Sequence, residues 1–334
     1  MVAAGVFAAC VLTASSYAQP VSPGKNAKDK SPTTAAVQPA TAPKTAVAET
    51  AIVPGERIGA MSLTGRIDDF VARFGAGKRT SAGIWRGAVM STWDAMSLNV
   101  VTDVTTGNIL WISIGHSYAN PWTMHATAEG IRLGTPESEL LAAMGTPERT
   151  VTGAGARSLY YERRGIHFLF ADSGAMAAKI TGMRIAWPSV PRGDLLIVPG
   201  ERISGIAVGA AIGDALAALG DGYLKQNAGS AGTNAYYWPH LNLAVVEHAG
   251  RVSAARVIHP GPNDAQVLRY ATSEGVGMGS TADAVRKAYG EPEQTGAAGR
   301  NAELVQWAYP SRGIGFALSD IQVVYVEVTS PRTP

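Results

Sequence analysis

The 334-residue sequence contains few of the residues that carry most protein chemistry. Its only cysteine is Cys10, so we predict neither a disulfide framework nor a thiol-based site in the mature chain. Charged residues make up only 16% of the chain and the net charge is +2, which does not indicate binding to nucleic acid. The six histidines are scattered, and none has the spacing of a metal site. We therefore predict no metal, no cofactor and no nucleic-acid partner.

Long hydrophobic runs are also missing. No run reaches the ~20 residues that a membrane-spanning helix needs. Residues 1–18 are mostly apolar or small and end in a small-x-small cleavage site at Ala18, which is typical of an export signal. Residues 19–50 contain mainly Pro, Ala, Thr and Lys, which predicts a disordered tether. We therefore predict a periplasmic or secreted protein without a transmembrane span in the mature chain. A lipid anchor at Cys10 is the alternative.

What the chain does contain is a long internal repeat. Residues 52–58 read Ile-Val-Pro-Gly-Glu-Arg-Ile, and the same seven letters return at residues 197–203, 145 positions later. Other identities keep this spacing, among them Trp93 with Trp238. Seven consecutive identities at one spacing are improbable by chance, so the sequence indicates a tandem duplication.

Each half of the duplication divides again into two smaller units. An amphipathic pattern such as Ile67, Phe70, Val71 and Phe74 predicts a short helix in each unit, which ends at a glycine and is followed by strands. We therefore predict an α+β fold in which each half consists of two small modules, each a helix plus an antiparallel sheet. The predicted units are a first domain at 51–187 with modules 51–117 and 118–187, a linker at 188–194, and a second domain at 195–330 with modules 195–259 and 260–330.

The two repeated tryptophans are predicted to be equivalent core residues. Trp93 and Trp238 each precede a run in which apolar residues alternate with others. A strand with one buried face places such residues inward at every second position. The ring before each run would then cover the apolar face of the sheet.

The glycine and aromatic residues of the last quarter form a pattern of a known kind. They are Gly-Ser at 279–280, Gly-Glu-Pro at 290–292, Trp-Ala-Tyr at 307–309 and Gly-Ile-Gly-Phe at 313–316. The pattern resembles the BamE (SmpA/OmlA) domain of outer-membrane assembly lipoproteins and the tandem modules of β-lactamase inhibitor protein. The resemblance implies a helix-plus-sheet fold that binds other proteins and has no catalytic residues. The inhibitor's disulfide-forming cysteines are absent here.

Motifs that carry catalysis are incomplete in this sequence. The segment 75–80 ends like a phosphate-binding loop, but Ala72 stands where that loop needs its first glycine and Arg79 follows Lys78. No Gly-x-Ser-x-Gly motif is present. The sequence therefore predicts a protein without enzymatic activity.

Three functional hypotheses remain from the sequence. The first is an exported adaptor or scaffold that binds another envelope or secreted protein. The second is a module for a small molecule or a glycan, with Tyr118, Trp122 and Tyr223 as candidate contacts because the other half lacks aromatic residues at their repeat positions. His116 and His259, which both follow the last predicted strand of a quarter, are further candidates. The third is a hydrolase with its site between the two halves.

Overall fold

The computed structural model describes residues 48–82, 87–116, 121–153, 155–228, 232–258, 268–298, 304–319 and 322–332. In this part of the chain 47% of the residues are in strands and 18% in helices, so the fold is predominantly β. The α-helices are α1 (Ile67–Phe74), α2 (Glu137–Met144), α3 (Ile212–Leu219) and α4 (Ala282–Tyr289). Over the described residues, no helix has the length and apolar character needed to cross a membrane.

Short strands dominate both halves of the chain. In the first half they are β1 (Ile52–Val53), β2 (Arg57–Ile58), β3 (Met61–Ser62), β4 (Lys78–Ser81), β5 (Ala88–Trp93), β6 (Leu98–Asp103), β7 (Ile109–Gly115), β8 (Arg149–Gly153), β9 (Ala156–Tyr161), β10 (Ile166–Ala171) and β11 (Ile180–Ala186). In the second half they are β12 (Leu196–Val198), β13 (Arg202–Ile203), β14 (Ile206–Ala207), β15 (Leu224–Asn227), β16 (Thr233–Trp238), β17 (Leu243–His248), β18 (Arg251–Ile258), β19 (Ala271–Thr272), β20 (Gln294–Ala297), β21 (Leu304–Tyr309), β22 (Ile314–Ser319) and β23 (Gln322–Thr329).

Two eight-stranded antiparallel sheets organise the molecule. The first has the order β4-β5-β6-β7-β11-β10-β9-β8, and the second has the order β15-β16-β17-β18-β23-β22-β21-β20. The repeated seven-residue segment contributes to two smaller sheets, β1-β2-β3 and β14-β13-β12-β19. In both copies of that segment the first strand pairs antiparallel with the second in the same register, Ile52 with Ile58 and Ile197 with Ile203.

The predicted α+β fold of small helix-plus-sheet modules is wrong. Each helix is only eight residues long, and the strands of neighbouring quarters join into one sheet. The joining pairs are β7 with β11, where Ser113 faces Arg184, and β18 with β23, where Arg256 faces Glu327. The resemblance to the BamE and inhibitor modules is wrong as well. That resemblance rested on glycines and aromatic residues. In the structure the glycines end short helices and the aromatic residues fill a core, and such residues do not specify how many strands a sheet contains.

A hydrogen bond that recurs four times fixes the helices to the sheets. Each helix ends at a glycine whose φ lies between 73° and 81°, a conformation that favours glycine. The carbonyl oxygen of that glycine accepts a hydrogen bond from an aromatic side chain of the sheet. The bonds are Trp93 Nε1 to Gly75 (2.9 Å), Tyr161 Oη to Gly145 (2.7 Å), Trp238 Nε1 to Gly220 (2.8 Å) and Tyr309 Oη to Gly290 (2.9 Å). Trp93 and Trp238 are both buried, in the cores of the first and second halves.

A third, smaller core lies where the two halves meet. There Trp111 and Val101 of the first sheet cluster with Leu224 and Tyr237 of the second. The turn after β6 adds polar contacts to Lys225, which lies in the edge strand β15. The backbone N–H of Lys225 donates to Asp103 Oδ2 (3.1 Å), and its carbonyl accepts from Thr105 Oγ1 (3.3 Å). The first half therefore covers one edge of the second sheet.

The side chain of Trp187 also connects the halves. Its Nε1 donates to the carbonyl of Ile109 (2.7 Å), and its ring stacks on His240 at 6.2 Å between centroids. A Cβ at Gly222 would lie 2.5 Å from this ring, so only glycine fits there. Burial, together with the positive charge of Arg192, lowers the pKa of His240 from 6.5 to about 3. His240 is therefore neutral in the folded protein at neutral pH.

We expect acid to weaken the fold through His240. Because its folded pKa lies below that of the unfolded chain, its contribution to stability is complete above pH 6.5 and is lost as the pH falls towards 3. One such group lowers the free energy of unfolding by about 1.4 kcal/mol per pH unit in that window. Denaturant unfolding of the wild type and of His240→Asn at several pH values measures this term, since contributions of other groups cancel in the difference. Parallel curves for the two proteins would contradict it.

Candidate functional site

A cavity of about 350 Å³ lies between helix α2 and the edge strand β8. Its lining residues are Glu137, Leu141, Gly145, Thr146, Pro147, Thr150, Arg157 and Leu159. We call the space between α2 and β8 the α2–β8 groove. Since β8 is the last strand of the first sheet, the groove lies at a sheet edge, where another chain can approach it.

One wall of the α2–β8 groove is apolar. Helix α2 turns Leu140 and Met144 into the core, which leaves Leu141 38% exposed. Leu159 lies beneath it on β9, and Pro147 follows the end of the helix. Burying the exposed part of Leu141 against a ligand would be favourable.

The other wall is polar and electrically balanced. Arg157 Nη2 forms an ion pair with Glu137 Oε2, and both side chains line the groove. This leaves Arg157 Nε buried and without a hydrogen-bond partner in the described part of the chain. A buried donor without an acceptor costs ~1–3 kcal/mol. The Arg157 side chain is 34% exposed, so other N–H groups of its guanidinium can donate to an acceptor on a ligand.

The end of the groove is held rigidly by the helix-end hydrogen bond of this quarter. Tyr161 Oη donates to the carbonyl of Gly145, and Gly145 itself lines the groove. Burial raises the pKa of Tyr161, so its hydroxyl keeps the proton that it donates. The shape of the groove is thus set by contacts within the protein.

The corresponding place in the second half is filled by the protein's own side chain. The fifth residue of the helix is Leu141 in α2 and Arg286 in α4, and Trp307 takes the position of Leu159 beside its edge strand. The guanidinium of Arg286 lies 4.5 Å from the centre of the Trp307 ring, and its Nε is 3.3 Å from Glu291 Oε1. Arg286 therefore covers the Trp307 ring, while Val305 on the same face of β21 stays 45% exposed. In the α2–β8 groove the residue at the Arg286 position is Leu141, which carries no charge.

The candidate residues from the sequence do not come together at this groove. Trp122 is buried in the first core, with its Nε1 donating to the carbonyl of Met96, and Tyr223 packs 5.3 Å from the Trp238 ring. His116 is exposed just after β7. Tyr118 and His259 lie outside the described residues. No group of three His, Cys, Asp or Glu side chains able to hold a metal is found among the residues that the structure describes.

Sequence reasoning missed Leu141 and Arg157. The sequence did contain a signal for Leu141, because Leu141 and Arg286 occupy the same position in the two repeats and differ in polarity. The role of Arg157 depends on its ion pair with Glu137, 20 residues away, and no short-range pattern indicates that contact.

Comparisons with known proteins give little beyond the geometry. No protein-family description matches the chain, and no curated protein matches it. Among solved structures, the chain is similar to a cysteine-rich secretory protein from Staphylococcus aureus, with 12% sequence identity and a TM-score of 0.26. The match covers 40% of this chain and 48% of that one, so it spans about half the length of the secretory protein. A likeness of this size supports no conclusion about function.

Proposed function

We propose that this chain is an exported, non-enzymatic adaptor that binds another envelope or secreted protein in the α2–β8 groove. The observation that carries the proposal is the difference between the two halves. At the corresponding helix position, the first half has an exposed leucine, Leu141, beside the groove, and the second half has Arg286 over the Trp307 ring. A difference confined to one of two repeated units is expected when one unit binds a partner.

The character of the groove favours a protein partner over a small molecule. Its volume of about 350 Å³ is at the lower end of the ~300–1,000 Å³ usual for small-molecule sites. It also opens at a sheet edge, where a side chain can enter from a neighbouring chain. The aromatic residues of the small-molecule hypothesis support it less, since Trp122 and Tyr223 pack against other aromatic rings of the protein.

The proposal is tested by filling the groove. We expect Leu141→Arg to place a guanidinium over the Leu159 position, as Arg286 does over Trp307, and to abolish capture of the partner. The experiment is affinity capture from an envelope extract with the purified mature protein and the variant, followed by mass spectrometry. A protein retained by the wild type and lost with Leu141→Arg, then shown to bind when purified, would support the proposal.

The matched control is Arg286→Leu, which makes the opposite change at the same place in the second half. It should retain the same partner as the wild type, since the α2–β8 groove is untouched. If Leu141→Arg and the wild type retain the same proteins in equal amounts, the groove is not the binding site and the proposed function fails.

A further inference from the structure

Strand β8 has backbone groups that face away from its sheet. It pairs with β9 from Arg149–Tyr160 to Gly153–Ala156. The N–H of Asp172 donates to the carbonyl of Gly155, so Ala156 is not hydrogen-bonded to Ala171, its partner in β10, and its own N–H and C=O face Gly153. Hydrogen-bonded pairs alternate along an antiparallel ladder. The N–H and C=O groups of Thr150 and Thr152 therefore point outward from the sheet. Both residues are exposed.

The other edges of the two large sheets differ from β8 in charge, in cover or in the helix residue beside them. Strand β4 carries the exposed charges of Lys78 and Arg79, which discourage pairing with another strand. Strand β15 is covered by the turn of the first half. Strand β20 is exposed along its length, but the helix beside it places Arg286 over Trp307 where α2 has Leu141.

The one charged residue of β8 does not block its edge. The guanidinium of Arg149 lies 3.6 Å from the centre of the Tyr160 ring and is paired with Glu162. These contacts hold it on the sheet face opposite the groove, because Arg149 and Thr150 are consecutive in a strand. The groove side of β8 is formed by Thr150 and Thr152, which are uncharged.

We propose that the α2–β8 groove binds an extended segment of the partner protein as a ninth strand, antiparallel to β8, with an apolar side chain in the cavity. This inference rests on the proposed function and specifies how the partner is recognised. Main-chain hydrogen bonds to Thr150 and Thr152 stabilise the binding of any extended segment, whatever its sequence. Side chains at alternate positions supply selectivity.

The register of β8 and β9 predicts which side chains the segment carries. A residue opposite Thr150 has its side chain on the groove side, next to Leu159, which Thr150 faces across the ladder. This position takes an apolar side chain. A residue opposite Thr152 lies on the same side as Arg157, which Thr152 faces. Because Glu137 already neutralises Arg157, whose side chain is 34% exposed, this position takes an uncharged acceptor for the guanidinium. Read from its N-terminus, the antiparallel segment therefore has a hydrogen-bond acceptor opposite Thr152, then any residue, then an apolar residue opposite Thr150.

The first test uses a labelled peptide and the wild-type protein. The probe is Thr-Gln-Thr-Leu-Thr with a fluorophore on its N-terminal amine and an amidated C-terminus, and its binding is measured by fluorescence polarisation. We expect it to bind at least tenfold more tightly than the peptide with Gln and Leu exchanged. N-methylation of the Leu amide should abolish binding, because that amide donates to Thr150. N-methylation of the central Thr, whose amide points away from β8, should leave affinity within about twofold.

The second test changes the protein edge. Proline at an outward-facing edge position removes a donor without removing a bond of the protein's own ladder. We expect Thr150→Pro to weaken peptide binding at least tenfold. Thr295→Pro is the matched control, because Thr295 faces Trp307 in β20 as Thr150 faces Leu159 in β8, and it should bind like the wild type.

The outcomes separate this inference from the proposed function. Equal loss on methylation of either amide, or equal affinity for the two peptide orders, overturns the added strand. If neither peptide binds while Leu141→Arg still abolishes capture of a purified partner, the groove binds protein in another way. If both peptides behave as expected but capture does not depend on Leu141, the edge binds extended chains and the adaptor function fails.

Discussion

We expect Trp238→Ala to lower the free energy of unfolding by about 3–5 kcal/mol, the range seen for removal of a large buried aromatic side chain. The ring has no exposed surface and lies against Tyr223 and Tyr236, with centroids 5.3 Å and 6.4 Å away. The substitution also removes the donor that the carbonyl of Gly220 uses at the end of α3. Denaturant unfolding followed by circular dichroism measures the change.

Trp238→Phe separates the two contributions. Phenylalanine keeps most of the ring volume but cannot donate, so the carbonyl of Gly220 loses its partner at a cost of ~1–3 kcal/mol. Trp93→Ala is the matched variant in the first half, where the ring is 6% exposed and bonds to Gly75 in the same way. Unchanged unfolding midpoints in the alanine variants would show that these rings do not support the cores.

The second large effect is expected at Gly313, where β21 turns into β22. Gly313 has a φ of 64°, and a Cβ there would lie 2.3 Å from the carbonyl oxygen of Thr329 and 2.6 Å from the Cα of Gly200. Both contacts are with backbone atoms, which cannot move aside as a flexible side chain can. We therefore expect Gly313→Ala to destabilise the protein by about 3 kcal/mol or more, from left-handed strain together with overpacking.

Gly275→Ala is the control for backbone strain alone. Gly275 has a φ of 77°, but no heavy atom lies within 4 Å of the position that its Cβ would occupy. It should lose only about 1–2 kcal/mol. Thermal and denaturant unfolding of the two variants gives the difference, which measures the contact between Gly313 and Gly200. Equal losses would mean that this contact contributes nothing.

Local features of the fold could be predicted because their causes are local. The apolar stripe from Ile67 to Phe74 forms helix α1, and Gly75 ends it, as the sequence indicates. The continuous sheets could not be predicted in this way. Strand β7 pairs with β11, and Ser113 faces Arg184. A contact between residues so far apart in the sequence leaves no short-range pattern. Because this strand pairing leaves no signal in the sequence, each quarter was predicted to be a separate module.

The site was missed for a related reason. Helix α2 has five consecutive apolar residues, at 140–144, and only the packing decides that Leu140 is buried while Leu141 is exposed. Trp122 attracted attention because the other half has no aromatic residue at that position. In the structure it packs edge-on against Phe74, 6.3 Å away. A difference between repeats is informative at the surface, whereas in a core it reflects only how space is filled.

The contact between the halves has a consequence for association between molecules. The turn at Asp103 meets β15 over an apolar row in which Leu224 faces Tyr237. In the first sheet the corresponding row has Lys78 facing Thr92. If a second molecule placed the same turn against β4, Lys78 would lose hydration and no apolar contact would compensate for that loss, which is unfavourable. We therefore expect β4 not to bind this turn of a second molecule in the way that β15 binds it within the chain.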